Sequence, residues 1–397
     1  MFVHKAHRRP IGRRYWLAGT AAALIAALVF SVPAEAQPSG HSKADLQRDL
    51  DAITALGVSG AQARAVDSTG RSSVAVSGVA EVGKKRPVPR NGYFRIASAT
   101  KPIVATVVLQ LVGEGKLSLE DSVEKHLPGV VKGTGAGHEI DGGEITIRQL
   151  LQNTSGLLYD EPGFDSKEQY LEHRFDVYSR EELIKRAMAV APAFEPGEGW
   201  AYSNTNFLLA ETIIEKITGN SWQAEIERRI FQPLHMRHSV WPGGSTTLPN
   251  PHARAYSVFA GKDEFVDTTE IRDNTENLIS TTADMNTFYR ALLGGKLLRP
   301  AELNQMKKTV KIDEQTEAIW PGGQYGLGLV KRPLACGGEY WSHGGGDAGF
   351  ITSDGVTPDG KRSIVISQTT ALPEKMIEQE VKASELVSHA LCGKGPQ

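Results

Sequence analysis

Tyr93-Phe94-Arg95-Ile96-Ala97-Ser98-Ala99-Thr100-Lys101-Pro102-Ile103-Val104-Ala105-Thr106-Val107-Val108-Leu109-Gln110-Leu111-Val112-Gly113 is the stretch from which the rest of the chain is read. Its first five residues suit a short strand. Ile103 to Val112 is an apolar run long enough for a buried helix, ended by Gly113 and Gly115. Pro102 is tolerated in the first turn, where backbone N–H groups lack partners anyway. Ser98 is therefore expected at a strand-to-helix junction, near the positive end of the helix dipole. Lys101, three residues on, shares its face. A helix-capping Ser beside a surface Lys fits the same residues, so this stretch alone leaves both readings open. A second Ser-x-x-Lys, Ser122-Val123-Glu124-Lys125, lies in a polar stretch ending at Pro128 and reads as a solvated connection.

Two further motifs follow in order. Tyr202-Ser203-Asn204 comes after the turn-rich Pro196-Gly197-Glu198-Gly199-Trp200 and before a helical pattern through Phe207 and Ile217 to Gly219. Tyr202 is thus expected on a loop leading into a helix, where catalytic side chains are common. His343-Gly344-Gly345-Gly346 follows the strand-like Gly338-Glu339-Tyr340-Trp341. Consecutive glycines in a strand are costly unless something must approach the backbone, and a substrate lying alongside is one such reason. Each motif alone has a bland reading: a loop Tyr beside a capping Asn, or a glycine turn beside a core His. Together they supply a nucleophile, an amine, a phenol, a carboxamide and an open strand, the parts of an acyl-transfer enzyme without a Ser-His-Asp triad.

With these residues in place the sequence resembles the serine β-lactamase/penicillin-recognising family. It is most like the soluble secreted serine D-Ala-D-Ala carboxypeptidases. Further supporting stretches include Thr154-Ser155-Gly156-Leu157, Ile230-Phe231-Gln232-Pro233-Leu234 and Tyr325-Gly326-Leu327-Gly328-Leu329. The resemblance implies an α+β fold, an antiparallel sheet flanked by helices with an inserted all-helical region. The residues agree: strands over Ala61–Val66 and Ser73–Ser77, helices over about 103–234, a strand over Ser363–Ser367 and a last helix through Val381 to Leu391.

The resemblance also implies a mechanism. Ser98 is acylated; Lys101 and Tyr202 are both candidates for the base; Asn204 holds Lys101 and a substrate amide. His343 relays a proton or polarises Tyr202. The N–H groups of Ser98 and Gly346 form the oxyanion hole. No cofactor is needed. The partners implied are a peptidoglycan stem peptide or a related small acyl substrate, with β-lactams as acylating inhibitors.

The substrate-binding pattern departs from the carboxypeptidases. Their hydroxyl-bearing residues around the third motif are Gly344 and Gly346 here, flanking Gly345. The position of their carboxylate-binding Arg is Val330, and only Arg332 shares its face, since adjacent strand residues point oppositely. Four readings follow in order: carboxypeptidase or transpeptidase; esterase or D-amino-acid peptidase or amidase; class C-like β-lactamase; and a silent penicillin-binding module.

Residues 1–36 read as an export signal. Arg8, Arg9, Arg13 and Arg14 form the basic part, Leu17 to Val32 the apolar part, and Ala34-Glu35-Ala36 the cleavage site. Arg13-Arg14 leaves the twin-Arg route open beside the general one. The mature domain, residues 37–397, is expected outside the cytoplasm, secreted or in the periplasmic or cell-wall space, with no stable membrane anchor. The formal charge of −2 becomes about −6 without the leader, which argues against nucleic-acid binding. Cys336 and Cys392 are an even pair, and both an oxidising compartment and the resemblance favour a disulfide over two free thiols. His235 and His238 lack a carboxylate motif, so no metal site is expected.

Overall fold

The computed structural model describes residues 42–159, 163–259, 264–272 and 278–392. The expected signal segment lies outside them. Among the described residues no helix is long and apolar enough to cross a membrane.

Among the described residues nine strands form the main sheet, which pairs a strand from near the start of the chain with one from near its end. We number them β1 (Gly60–Val66), β2 (Ser72–Gly78), β3 (Val310–Lys311), β4 (Gln324–Tyr325), β5 (Val330–Pro333), β6 (Glu339–Ser342), β7 (Gly345–Asp347), β8 (Phe350–Val356) and β9 (Ser363–Gln368). The order is β2-β1-β9-β8-β6-β5-β4-β3, with β7 also paired to β8. The central pairings are antiparallel, with Ala63 opposite Ile366 and Ser353 opposite the same residue from the other side. The N-terminal hairpin therefore docks on the C-terminal strand, and the helical stretch between Arg95 and Tyr256 separates β2 from β3 in the chain.

Every residue of β9 is buried. Both of its faces are covered, which explains a nearly continuous apolar run rather than strict alternation. Ile364 and Ile366 face a core built with Leu46, Leu50, Leu386 and Leu391. These come from α1 (Lys43–Thr54) and from the C-terminal helix, Met376–Cys392. Val365 faces the larger core on the other side, with Phe94, Val104, Val108 and Phe288. Each such side chain contributes about 1.5–3 kcal/mol when fully buried. Cys392 is bonded to Cys336 with the Cα atoms 5.9 Å apart, tying the last helix to the turn between β5 and β6.

The apolar run after Ser98 forms α2 (Lys101–Gly113), buried on nearly every side. Between Arg95 and Tyr256 the described residues form helices and turns with no strand. Trp222, Ile226 and Ile230 are fully buried, as their four-residue spacing suggests, although Glu227–Phe231 winds as a π-turn. The second Ser-x-x-Lys is solvated, with the Lys125 side chain 61 % exposed, and contains one helical turn. Ser122 caps a one-turn helix, Val123–His126, and Lys125 pairs with Asp121 at 2.6 Å.

Candidate active site

Ser98 is presented by a strained turn. Phe94 and Arg95 pair with Ser280 and Ile279, and the Ile96 N–H donates to the Leu278 carbonyl at 3.0 Å. Ala97 then takes φ +51°, a left-handed conformation uncommon for a residue with a Cβ. A 3-10 turn, Ala97–Thr100, carries Ser98 and passes into α2. Ser98 is thus not a helix cap; the residue preceding α2 is Thr100, whose side chain caps nothing.

Lys101 begins α2 and points back. Its Nζ donates to Ser98 Oγ at 3.1 Å and to Asn204 Oδ1 at 2.7 Å. Asn204 is the first residue of α3 (Asn204–Thr218). Lys101 is only 7 % exposed. Its ammonium lies 5.1 Å from the centre of the Tyr202 ring and 5.5 Å from that of Phe207. Such faces hold a cation by their quadrupoles while excluding water.

Tyr202 sits on the loop before α3, pinned by Asn153. The Asn153 carbonyl accepts from Ala201 N at 3.1 Å, and its Oδ1 accepts from Ser203 N at 3.3 Å and Asn206 Nδ2 at 2.8 Å. The Tyr202 hydroxyl is buried and has no hydrogen-bond partner among the described residues. Tyr202 also lines the pocket that contains Ser98.

His343 lies beside Tyr202, ring centres 6.2 Å apart, but its nitrogens are already engaged. Nδ1 is 3.0 Å from the Gly344 carbonyl, which can only accept, so Nδ1 carries the proton. Burial, and then the nearby Lys101 charge, push the ring's pKa down to about 3. The imidazole is therefore neutral, and Nε2 accepts from the Tyr325 hydroxyl at 2.9 Å. This corrects the expected relay through Tyr202: the lone pair such a relay needs is held by Tyr325, which sequence reasoning did not single out.

Asp354 is a second missed residue. Its Oδ1 accepts from His343 N at 2.9 Å, and its Oδ2 from Gly344 N at 3.0 Å and the Tyr289 hydroxyl at 2.9 Å. It clamps the bend where β6 ends and β7 begins, with Gly344 at φ +69°. Burial raises its pKa to about 6. The one acidic residue in Phe350–Val356, between Ser353 and Gly355, was the available signal.

After that bend β7 runs close to Ser98. A Cβ on Gly345 would stand 2.7 Å from Ser98 N and 3.0 Å from the Ala97 Cβ, so only glycine fits. The structure thus brings together Ser98, Lys101, Tyr202, Asn204, His343 and the strand Gly344-Gly345-Gly346. Ser98, Tyr202, His343 and these glycines line a pocket of about 370 Å³ that reaches Arg332. Trp320 and Ile319 form an apolar wall. Arg332 does not stand as a free cation: its Nη1 donates to Glu380 Oε1 at 2.7 Å. Among the described residues no group of three His, Cys, Asp or Glu side chains could hold a metal.

The Beta-lactamase family model matches residues 46–385. A D-stereospecific amidohydrolase from Streptomyces sp. is 39 % identical, with TM-score 0.76, covering 85 % of this chain and 98 % of that one. The D-amino acid amidase of Ochrobactrum anthropi SV3 is 25 % identical, with TM-score 0.71, covering 85 % and 96 %. A penicillin-binding protein of Bacillus subtilis (strain 168) is 28 % identical over 334 residues, 80 % of this chain and 69 % of that protein.

Proposed function

The chain belongs to the beta-lactamase family and is a serine hydrolase of the β-lactamase and penicillin-binding-protein superfamily; on that premise we propose that it is a D-stereospecific amidohydrolase. It cleaves D-aminoacyl amides and esters through an acyl-enzyme on Ser98. The observation that carries the choice is the Arg332–Glu380 pair at 2.7 Å. A carboxypeptidase needs a cation for the terminal carboxylate of its substrate, and here the nearest candidate is already neutralised. The names of the Streptomyces and Ochrobactrum relatives support the same choice.

In this mechanism the neutral amine form of Lys101 is the acting one: Ser98 Oγ attacks the substrate carbonyl carbon while its proton passes to the lone pair of Nζ, 3.1 Å away. Asn204 keeps that nitrogen in line. The carbonyl oxygen, now anionic, is held by the N–H groups of Ser98 and Gly346. The C–N or C–O bond breaks, and the leaving group takes its proton through the Tyr202 hydroxyl. Water then attacks the acyl-enzyme by the same route reversed, releasing the D-amino acid. His343 acts as a neutral wall that sets the position of Gly344. β-Lactams, as strained amides, are expected to acylate Ser98.

The leader motif of residues 1–36 and the Cys336–Cys392 bond support action outside the cytoplasm. The test is kcat/KM for D-phenylalanine amide, L-phenylalanine amide, D-phenylalanine methyl ester and N-acetyl-D-Ala-D-Ala, with Ser98→Ala as control. Serine-dependent cleavage of the D-amide and D-ester at least tenfold over the L-amide supports the proposal. Faster release of D-Ala from the acyl dipeptide would return the enzyme to the carboxypeptidase reading, in which Arg332 parts from Glu380 to hold the carboxylate.

A further inference from the structure

At the far end of the pocket three side chains close a triangle. Arg332 Nη1 donates to Glu380 Oε1 at 2.7 Å, Arg332 Nη2 donates to Ser384 Oγ at 2.9 Å, and that hydroxyl donates to the same Glu380 oxygen at 3.0 Å. Arg332 and Glu380 are only 10 % and 18 % exposed, so the pair is poorly screened by water. The guanidinium also lies 5.8 Å from the centre of the Tyr340 ring. Glu380 and Ser384 are one turn apart on the C-terminal helix, and all three residues line the pocket that begins at Ser98.

The other charges nearby do not restore a positive field. Asp354 lines the same wall and carries its charge above a pH of about 6. Lys331 points to the opposite face of β5 and lies 3.9 Å from Glu339. Lys101 stands at the nucleophile end. Among the described residues the far end therefore holds one cation, its bound carboxylate and a second carboxylate.

A substrate lying along β7, with its carbonyl between Ser98 N and Gly346 N, has one half beside Asp347 and the other beside His343 and Gly344. Tyr202 stands next to His343, so its proton is offered on the second side, where a leaving group needs it. Asp354, which holds the His343 and Gly344 N–H groups, lines the same pocket and lies close enough to feel the Glu380 charge, so this is the side that leads to Arg332 and Glu380.

We propose that Glu380 sets the leaving-group specificity of this site: by occupying Arg332 it excludes leaving groups that carry a free carboxylate and admits those that are uncharged or cationic. The inference rests on the amidohydrolase reading for the chemistry, and it names the half of the substrate that this reading leaves open.

The test uses a matched pair, D-Phe-D-Ala and D-Phe-D-Ala amide, which share the scissile bond and differ only in the terminal charge. The wild-type enzyme is expected to prefer the amide-ended peptide at least tenfold. Glu380→Gln keeps the shape and one acceptor but frees the Arg332 charge. It is expected to shift the kcat/KM ratio toward the acid at least tenfold, mostly through KM. Arg332→Met leaves Glu380 unopposed and is expected to move the ratio the other way, which carries the test if the first variant does not fold. Calorimetric binding of D-alanine against D-alaninamide gives the same comparison without turnover. A ratio unchanged within twofold in both variants overturns the inference. If the wild-type enzyme cleaves neither peptide nor any D-amide, the functional reading falls, and the binding comparison alone decides the role of Glu380.

Discussion

The Tyr325 hydroxyl stands 2.9 Å from Nε2 of His343, while Nδ1 of the same ring stands 3.0 Å from the Gly344 carbonyl. The carbonyl can only accept, so Nδ1 carries a proton, and burial holds the ring's pKa down to about 3, so Nε2 is bare and accepts from Tyr325. Tyr325→Phe leaves Nε2 buried without a donor, an expected loss of about 1–3 kcal/mol of stability. Thermal unfolding checks that figure. Nitrogen NMR of the imidazole should show the Nδ1–H tautomer in the wild-type enzyme and no charged ring between pH 5 and 8.

Asn204→Ala removes the carboxamide that holds Lys101 in line with Ser98. A hydrogen bond to a charged group is worth about 1.5–3 kcal/mol, so acylation should slow roughly 10- to 100-fold. Ser98→Ala should abolish both turnover and the mass increase caused by a β-lactam. Stopped-flow acylation and intact-protein mass spectrometry separate the two variants.

Gly345→Ala and Gly346→Ala should differ sharply. The first places a methyl group 2.7 Å from Ser98 N and pushes β7 off the nucleophile turn, with an expected loss of kcat/KM on the order of 1,000-fold, the cost of a displaced oxyanion donor. The second meets only the flexible Ile351 Cδ1 at 3.2 Å and keeps its N–H; its loss should stay near tenfold. Comparable losses in both would remove β7 from the oxyanion hole.

Asp354 links activity to pH. As pH falls through about 6 it takes a proton, and an acid group cannot accept from both His343 N and Gly344 N as well as Tyr289. The bend loosens, and kcat/KM should fall on the acid side with a midpoint near 6. Stability should move the opposite way. The folded pKa is raised, so this group favours the native state fully below the ordinary Asp value, and that contribution is lost as pH rises through about 6. The span corresponds to roughly 3 kcal/mol. Denaturant unfolding at pH 4.5 and 7.5, set beside the pH–rate profile, tests both signs.

Sequence by itself determined the frame of this protein and brought Ser98 forward as the candidate nucleophile. The apolar run after Ser98, the strand patterns at both ends and the glycines after His343 are local signals, written in periodicity and in the backbone freedom of a few residues. They located Ser98, Lys101, Tyr202 and His343 on the right kinds of element, and the two cysteines at one joint. Tertiary structure alone decided the electrostatics. Tyr325 takes the His343 lone pair from 18 residues away, Asp354 clamps its backbone from 11, and Glu380 cancels Arg332 from 48. Such pairings follow from which strands and helices the fold lays side by side. No periodicity or spacing encodes them, because charge and hydrogen bonding act through space while a sequence motif records only neighbours along the chain.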